Sequence, residues 1–185
     1  SPCNAISEIK SIGDGKFAIA YSFDSGYSYF RIFSSELEAI CDPVQLSTNE
    51  YEYYTIAVTG DDTVAFFFFF WIKEYSKTGT YINFHTYVID ADETVEDAAT
   101  TSNGNILFVT SNSTSLELTS YLFDWNTKAI TDTSTIDTSD YDPRGAGLGI
   151  TSNDLIVCHY NVRVGTTWTC YIVILDSENN MLHTK

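Results

Sequence analysis

A short polar turn that runs directly into an apolar strand recurs four times along this chain. The turns are Gly13-Asp14-Gly15, Gly60-Asp61-Asp62, Ser102-Asn103-Gly104 and Ser152-Asn153-Asp154, and the strands after them are 16–21, 63–68, 105–109 and 155–158. Gly, Asn and Asp tolerate the positive φ that tight hairpin turns demand. One hairpin reused four times marks a repeat array, because a single unit is too small to bury its own apolar face.

A second marker follows each first turn: two apolar residues lead into a Ser/Asp turn at 31–36, 87–92, 121–126 and 173–178. Such a step reads as the end of one strand and the start of its return. Between the markers lie variable loops at Asp24-Ser25-Gly26, Lys77-Thr78-Gly79, Ser113-Thr114-Ser115 and Gly165-Thr166. First strands are expected at 6–12, 53–59, 95–101 and 145–151. The fold class is therefore all-β: four four-stranded antiparallel repeats over a single domain, 1–185, with units near 1–48, 49–93, 94–138 and 139–185. A β-sandwich or barrel built from similar hairpins is the alternative. The apolar run 64–72 is too short for a membrane helix, which needs about 20 residues, and reads as a strand buried on both faces. Within it, Phe66 to Phe70 are expected in the core.

On these turn and return motifs the chain resembles β-propeller repeat proteins of the secreted or cell-surface kind. The resemblance spans nearly the whole sequence and implies propeller blades. It stops at architecture, since the tryptophan–aspartate signature, the kelch double glycine and the sialidase Asp-box are absent.

Charge narrows the partners. With 9 basic against 25 acidic residues the net charge is −16, which disfavours nucleic acid and anionic membrane. Self-association, other extracellular proteins and glycans remain as partners, without membrane insertion. The sequence opens Ser1-Pro2-Cys3 without a leader-like segment, as expected of a processed chain or a fragment.

Four cysteines, with no CxxC pair, favour disulfides and an oxidising, extracellular setting. Folding 155–163 back on 167–175 around Val164-Gly165 places Cys158 opposite Cys170, so a cross-strand bridge is expected there. Cys3 and Cys41 would then form the other bridge, closing a loop of about 37 residues worth ~3–4 kcal/mol, with pairing to another subunit as the rival. Asn112-Ser113-Thr114 is an N-glycosylation sequon in a polar stretch, making Asn112 a glycan acceptor candidate.

His85, His159 and His183 share no metal-ligand spacing, and no GxSxG, P-loop, HExxH or GxGxxG motif is present. No catalytic residue is assigned, and the chain is expected not to be an enzyme. No cofactor is expected apart from calcium. Oxygen ligands for it cluster at Asp90, Asp92, Glu93, Glu96 and Asp97, and again at Asp132, Asp137, Asp140 and Asp142, though without EF-hand order. Trp125 in a turn and Trp168 near a hairpin tip are candidate ligand-stacking rings. The functional expectation is a secreted structural or adhesive repeat protein that assembles into a filament or array. A lectin-like carbohydrate module and a propeller-scaffold hydrolase are the alternatives.

Overall fold

The computed structural model describes residues 3–23, 27–47, 54–137, 143–151 and 153–184. Every regular element among them is a strand, and no helix is long and apolar enough to cross a membrane. The strands form four separate four-stranded sheets, each an antiparallel meander in chain order. The first holds β1 (Cys3–Gly13), β2 (Lys16–Phe23), β3 (Ser28–Ser34) and β4 (Val44–Ser47). The second holds β5 (Thr55–Val58), β6 (Val64–Phe68), β7 (Trp71–Tyr75) and β8 (Tyr81–Thr86). In the third are β9 (Glu93–Thr100), β10 (Ile106–Asn112), β11 (Glu117–Asp124) and β12 (Ala129–Asp137). The fourth comprises β13 (Pro143–Ile150), β14 (Ile156–Val164), β15 (Thr167–Leu175) and β16 (Met181–Thr184). These are the four four-stranded repeats the sequence implies, each sheet built as a β-propeller blade is.

The repeat is written in backbone conformation as well as in sequence. In the first turns Gly15, Asp62, Gly104 and Asp154 all have positive φ, and in the third turns Leu37, Gly79, Lys128 and Asn179 do. Each third turn is braced by one side chain that accepts two nearby backbone N–H groups. Ser34 Oγ serves Glu36 and Glu38, and Ser76 Oγ serves Thr78 and Thr80. Asp124 Oδ1 serves Asn126 and Thr127, and Asp176 Oδ1 serves Glu178 and Asn180. Local side-chain acceptors of this kind are why Ser and Asp favour turns.

The second sheet departs from the expected phase. Its third turn is Ser76 to Gly79, not the Asp90 turn, because the apolar run breaks into a hairpin at Phe69-Phe70. Phe66 and Phe67 are fully buried as expected, but Phe69 is 39% and Phe70 59% exposed. The run is thus two strands and a tip, not one core strand.

The chain divides into two compact units, Ser1–Thr86 and Tyr87–Lys185, with two sheets in each. In the first unit Ala18, Ala20, Phe30 and Ile32 pack on Ile56, Val64, Phe66 and Tyr75 of the second sheet. Phe30 lies 4.4 Å from Phe66 and 4.6 Å from Tyr75, centroid to centroid. In the second unit Leu107, Val109, Leu118 and Leu122 share a core with Ile156, Cys158, Val173 and Leu175. Each large apolar side chain buried in these seams contributes about 1.5–3 kcal/mol.

A carboxylate fastens the first strands to each other within each unit. Glu8 Oε2 on β1 accepts the Ile56 N–H of β5 at 2.5 Å, and Asp97 Oδ2 on β9 accepts the Leu148 N–H of β13 at 2.7 Å. The first turns are tied too. Lys77 Nζ bridges Asp14, at 3.1 Å, and Asp62, while Ser102 donates to Asp154 through its N–H at 3.0 Å and through its hydroxyl.

Candidate functional site

Strand β2, Lys-Phe-Ala-Ile-Ala-Tyr-Ser-Phe, is apolar on both parities but sorted by size. Ala18 and Ala20 turn inward with no exposure, where small side chains let the second sheet approach closely. Phe17, Ile19, Tyr21 and Phe23 occupy the opposite face. Register extends that outer face across the sheet. Ile6 pairs with Tyr21, Ile9 with Ile19 and Ser11 with Phe17 on one side; Tyr29, Arg31 and Phe33 flank β2 on the other. A bulge between Ile6 and Glu8 keeps Ile6 and Ile9 on the same face despite their odd spacing.

The outer face is aromatic and open. Phe17 and Phe33 stack at 5.5 Å, Tyr21 and Tyr29 at 6.2 Å, and Phe23 closes edge-on against both tyrosines. Ile6 is 55% and Ile9 57% exposed. A hollow of ≈ 250 Å³ opens between Ile6, Ile19, Tyr21, Arg31 and Phe33. Arg31 is held in place by donating Nε–H to the Cys41 carbonyl at 2.9 Å, and its guanidinium lies 5.5 Å from the Phe33 centroid. Among its described residues the face carries one cation, Arg31, and no carboxylate.

The fourth sheet ends the second unit in a similar way. Its inner face, with Cys158, Tyr160, Val173 and Leu175, is buried against the third sheet. Its outer face presents His159 opposite Ile172, Asn161 opposite Cys170, and Arg163 opposite Trp168. Gly147 lies beneath the His159 ring, where a Cβ would clash with the imidazole. Ile172 is 45% and Trp168 53% exposed, and among its described residues this face too lacks a carboxylate.

The predicted site residues fare unevenly. Cys158 and Cys170 are not opposite each other: Cys158 faces Val173 and Cys170 faces Asn161, three pairs apart and therefore on opposite faces. Both thiols are free, as is Cys41, so the expected Cys158–Cys170 bridge is corrected by register. The Cys3–Cys41 pairing is corrected likewise on the Cys41 side; the Cys3 side chain lies outside the described ones. Cys41 instead accepts the Ile32 N–H on Sγ at 3.4 Å and packs under Gly79, whose added Cβ would fall 2.8 Å from Cys41 Cβ. Burial, with Asp97 nearby, pushes the Cys158 thiol up to about 12.

Asn112 is buried, and its Oδ1 accepts the N–H groups of Thr114 and Ser115, so the folded hairpin does not offer it to a glycan. Trp125 is 2% exposed, packed on Phe123 and capped by Lys128 Nζ 3.4 Å from its ring centroid. It is a core residue, not a stacking platform. Trp168 is exposed as expected, with Arg163 5.8 Å from its centroid.

Of the histidines, His159 and His183 are exposed, while His85 pairs with buried Glu74 at 3.1 Å. Three carboxylates of the first acidic cluster are taken up by the protein's own donors. Glu93 is served by Thr110, Tyr121 and the Asp90 N–H, Glu96 by Ser111, and Asp97 by Ala98 and Leu148. Among the described residues no three His, Cys, Asp or Glu gather as a metal site; Asp140 and Asp142 lie outside them.

No family model matches the chain, and no curated protein matches it in sequence. Solved structures do. The Dos1 propeller is 13% identical with a TM-score of 0.62, over 97% of this chain and 46% of that one. The fold is that of β-propeller blades. A glycoside hydrolase is 12% identical with a TM-score of 0.62, over 99% of this chain and 49% of that one. A variant of NanB sialidase from Streptococcus pneumoniae is 14% identical with a TM-score of 0.65, over 94% and 31%. The chain spans less than two thirds of the length of each structure.

These neighbours overturn the expectation that the chain is not an enzyme. That expectation rested on absent short motifs, and the same blade architecture carries a glycoside hydrolase and a sialidase. Missing motifs do not exclude catalysis on this scaffold.

Sequence reading missed the outer face of the first sheet altogether. Its signal was present in β2, where every position but Lys16 and Ser22 is apolar and the bulky residues share one parity.

Proposed function

We propose that the chain is a β-propeller-like assembly module, an extracellular structural or adhesive repeat that joins copies of itself end to end. The outer face of the first sheet in one copy would meet the outer face of the fourth sheet in the next. The observation that carries this reading is the exposed aromatic–aliphatic face of the first blade, centred on Ile6, Ile9, Ile19 and Tyr21.

Two features support it. Within each unit, face-to-face packing of sheets is already how these blades bury apolar surface. Among the described strand residues, both outer faces also lack carboxylates in a chain of net charge −16, so the contact escapes the repulsion that the rest of the surface would impose. A contact between two different faces is heterologous and propagates unless it closes.

The test is light scattering against concentration for the wild-type chain, Ile9→Glu and Ile172→Glu. Wild type grows into oligomers and each variant alone stays monomeric. An equimolar mixture of the two variants forms a dimer and stops there, because each contributes one intact face. A wild-type chain that stays monomeric, or a mixture that does not pair, overturns the proposal.

Trp168 favours a second reading, carbohydrate stacking on the fourth sheet, since an exposed ring beside Arg163 suits a sugar face. Oligosaccharide titration followed by tryptophan fluorescence, with Trp168→Ala as control, decides it.

A further inference from the structure

Among the described residues the last strand of each sheet has one edge without a ladder partner, and three of these four edges are guarded. Strands β4 and β16 are only four residues long. Strand β12 is longer, but six of its nine residues are Thr, Ser or Asp, with the charges at Asp132 and Asp137. Short edges and inward or outward charges are the usual protection against unwanted strand pairing. Strand β8, Tyr-Ile-Asn-Phe-His-Thr, has neither: six residues, no lysine, arginine, carboxylate or proline. Tyr81 is 55%, Ile82 47% and Phe84 45% exposed.

This edge is also held firmly from behind. His85 Nε2 pairs with Glu74 Oε2 at 3.1 Å, and Glu74 Oε1 accepts the Thr63 hydroxyl at 2.6 Å, so a buried network pins β8 onto β7. On the other face Phe84 rests on Trp71 at 6.0 Å. Trp71 pairs with Thr86, which brings the Phe69-Phe70 hairpin tip to the same end of the strand. Phe69 sits at φ 43, a left-handed conformation costly for a bulky residue. That cost is met at a place where two phenylalanines face solvent. A rigid edge with aromatic rings at one end is preorganised to receive a strand.

One detail marks the outward hydrogen-bonding row. The Phe84 N–H donates to its neighbour's Asn83 Oδ1 at 2.9 Å. A side chain thus occupies a donor that an added strand would use.

We propose that β8 is a strand-addition site for an extended segment of another polypeptide, apolar at alternate positions and flanked by lysine or arginine. Backbone bonds to the edge would supply affinity, and alternate side chains beside Phe84 and the Phe69-Phe70 tip would supply selectivity. Charge selects the partner. With 25 acidic against 9 basic residues, the field around the edge draws in basic flanks. The proposal does not rest on the outer faces of the first and fourth sheets.

The experiment is fluorescence anisotropy on the full chain with a labelled synthetic peptide, an alternating Val-Thr core with Lys pairs at both ends. Controls are the same core flanked by Glu pairs and a core interrupted by proline. The Lys-flanked peptide binds, weakens as salt rises, and outcompetes both controls. Phe84→Lys and, as a second variant, Ile82→Lys each weaken it by about tenfold, through lost apolar contact and repulsion of the Lys flanks. Asn83→Ala tightens it, because the Phe84 N–H is released. Far-ultraviolet dichroism and melting confirm that each variant is folded. No binding to the wild-type chain, equal binding of the Glu-flanked peptide, or folded variants with wild-type affinity each overturn the proposal. Dimers lost on Phe84→Lys would instead assign the edge to a second copy.

Discussion

Cys158 and Cys170 share one hairpin yet meet opposite surroundings, and the difference is chemical as well as geometric. Cys158 is fully buried, and burial with Asp97 nearby pushes its thiol up to about 12, whereas Cys170 is exposed on the outer face. The thiolate is the nucleophile, so a buried thiol with a raised pKa is inert. At about pH 8 iodoacetamide should therefore label Cys170 in the native protein and reach Cys158 only after denaturation, as peptide mapping will show. If the end faces assemble, labelling of Cys170 should slow as protein concentration rises. Glu8 and Asp97 offer a second comparison at this scale, since each caps a backbone N–H on the neighbouring first strand. Glu8→Ala and Asp97→Ala should each cost about 1–3 kcal/mol in urea denaturation, because a donor in a packed strand loses its acceptor. Matching losses at the two positions would establish the clip as a property of the repeat.

At the level of strands and turns, legibility depended on whether the chain announced its turns with residues suited to them. The four first turns were readable because Gly and Asp occupy the positive-φ positions, and three third turns were readable through Ser34, Asp124 and Asp176. The second sheet was misphased because its middle turn is made by Phe69 and Phe70, residues that advertise burial rather than reversal. The disulfide was misplaced for a related reason: the Val164-Gly165 pivot was read slightly out of register, and an odd slip moves a side chain to the other face. Neither end face was legible as a site, because an apolar strand reads the same whether or not something covers it. Turns that break the rule should be improvable. Leu37 has φ 66 and is 73% exposed in the turn closed by its N–H to the Ser34 carbonyl. Leu37→Gly removes left-handed strain with little lost burial, so the urea midpoint should rise, by about 1 kcal/mol of stability.

Over the whole chain the buried ionisable groups point to alkaline rather than neutral fragility. Burial pushes the Tyr75 phenol up to about 12 from 10.0 and the Cys158 thiol up to about 12 from 9.0. It raises Tyr87, Tyr121 and Tyr160 further still, with Glu93 adding to the first two and Asp137 to the third. In each the neutral form belongs to the folded state, so folding raises the pKa. The stability they contribute is fully present below the unfolded values and is lost as pH climbs toward the folded ones. Melting temperature should therefore hold level with respect to these groups up to about pH 9 and fall between about pH 9 and 12. Tyrosinate absorbance should rise in two phases, the second together with loss of the β-sheet dichroism as the buried phenols ionise. A single smooth phenolic titration with the fold intact throughout would show that these rings are not sequestered as the sheet packing requires. Because the groups lie in both units, the alkaline transition also tests whether the two unfold together: one cooperative step in calorimetry joins them, and two steps make each a folding unit in its own right.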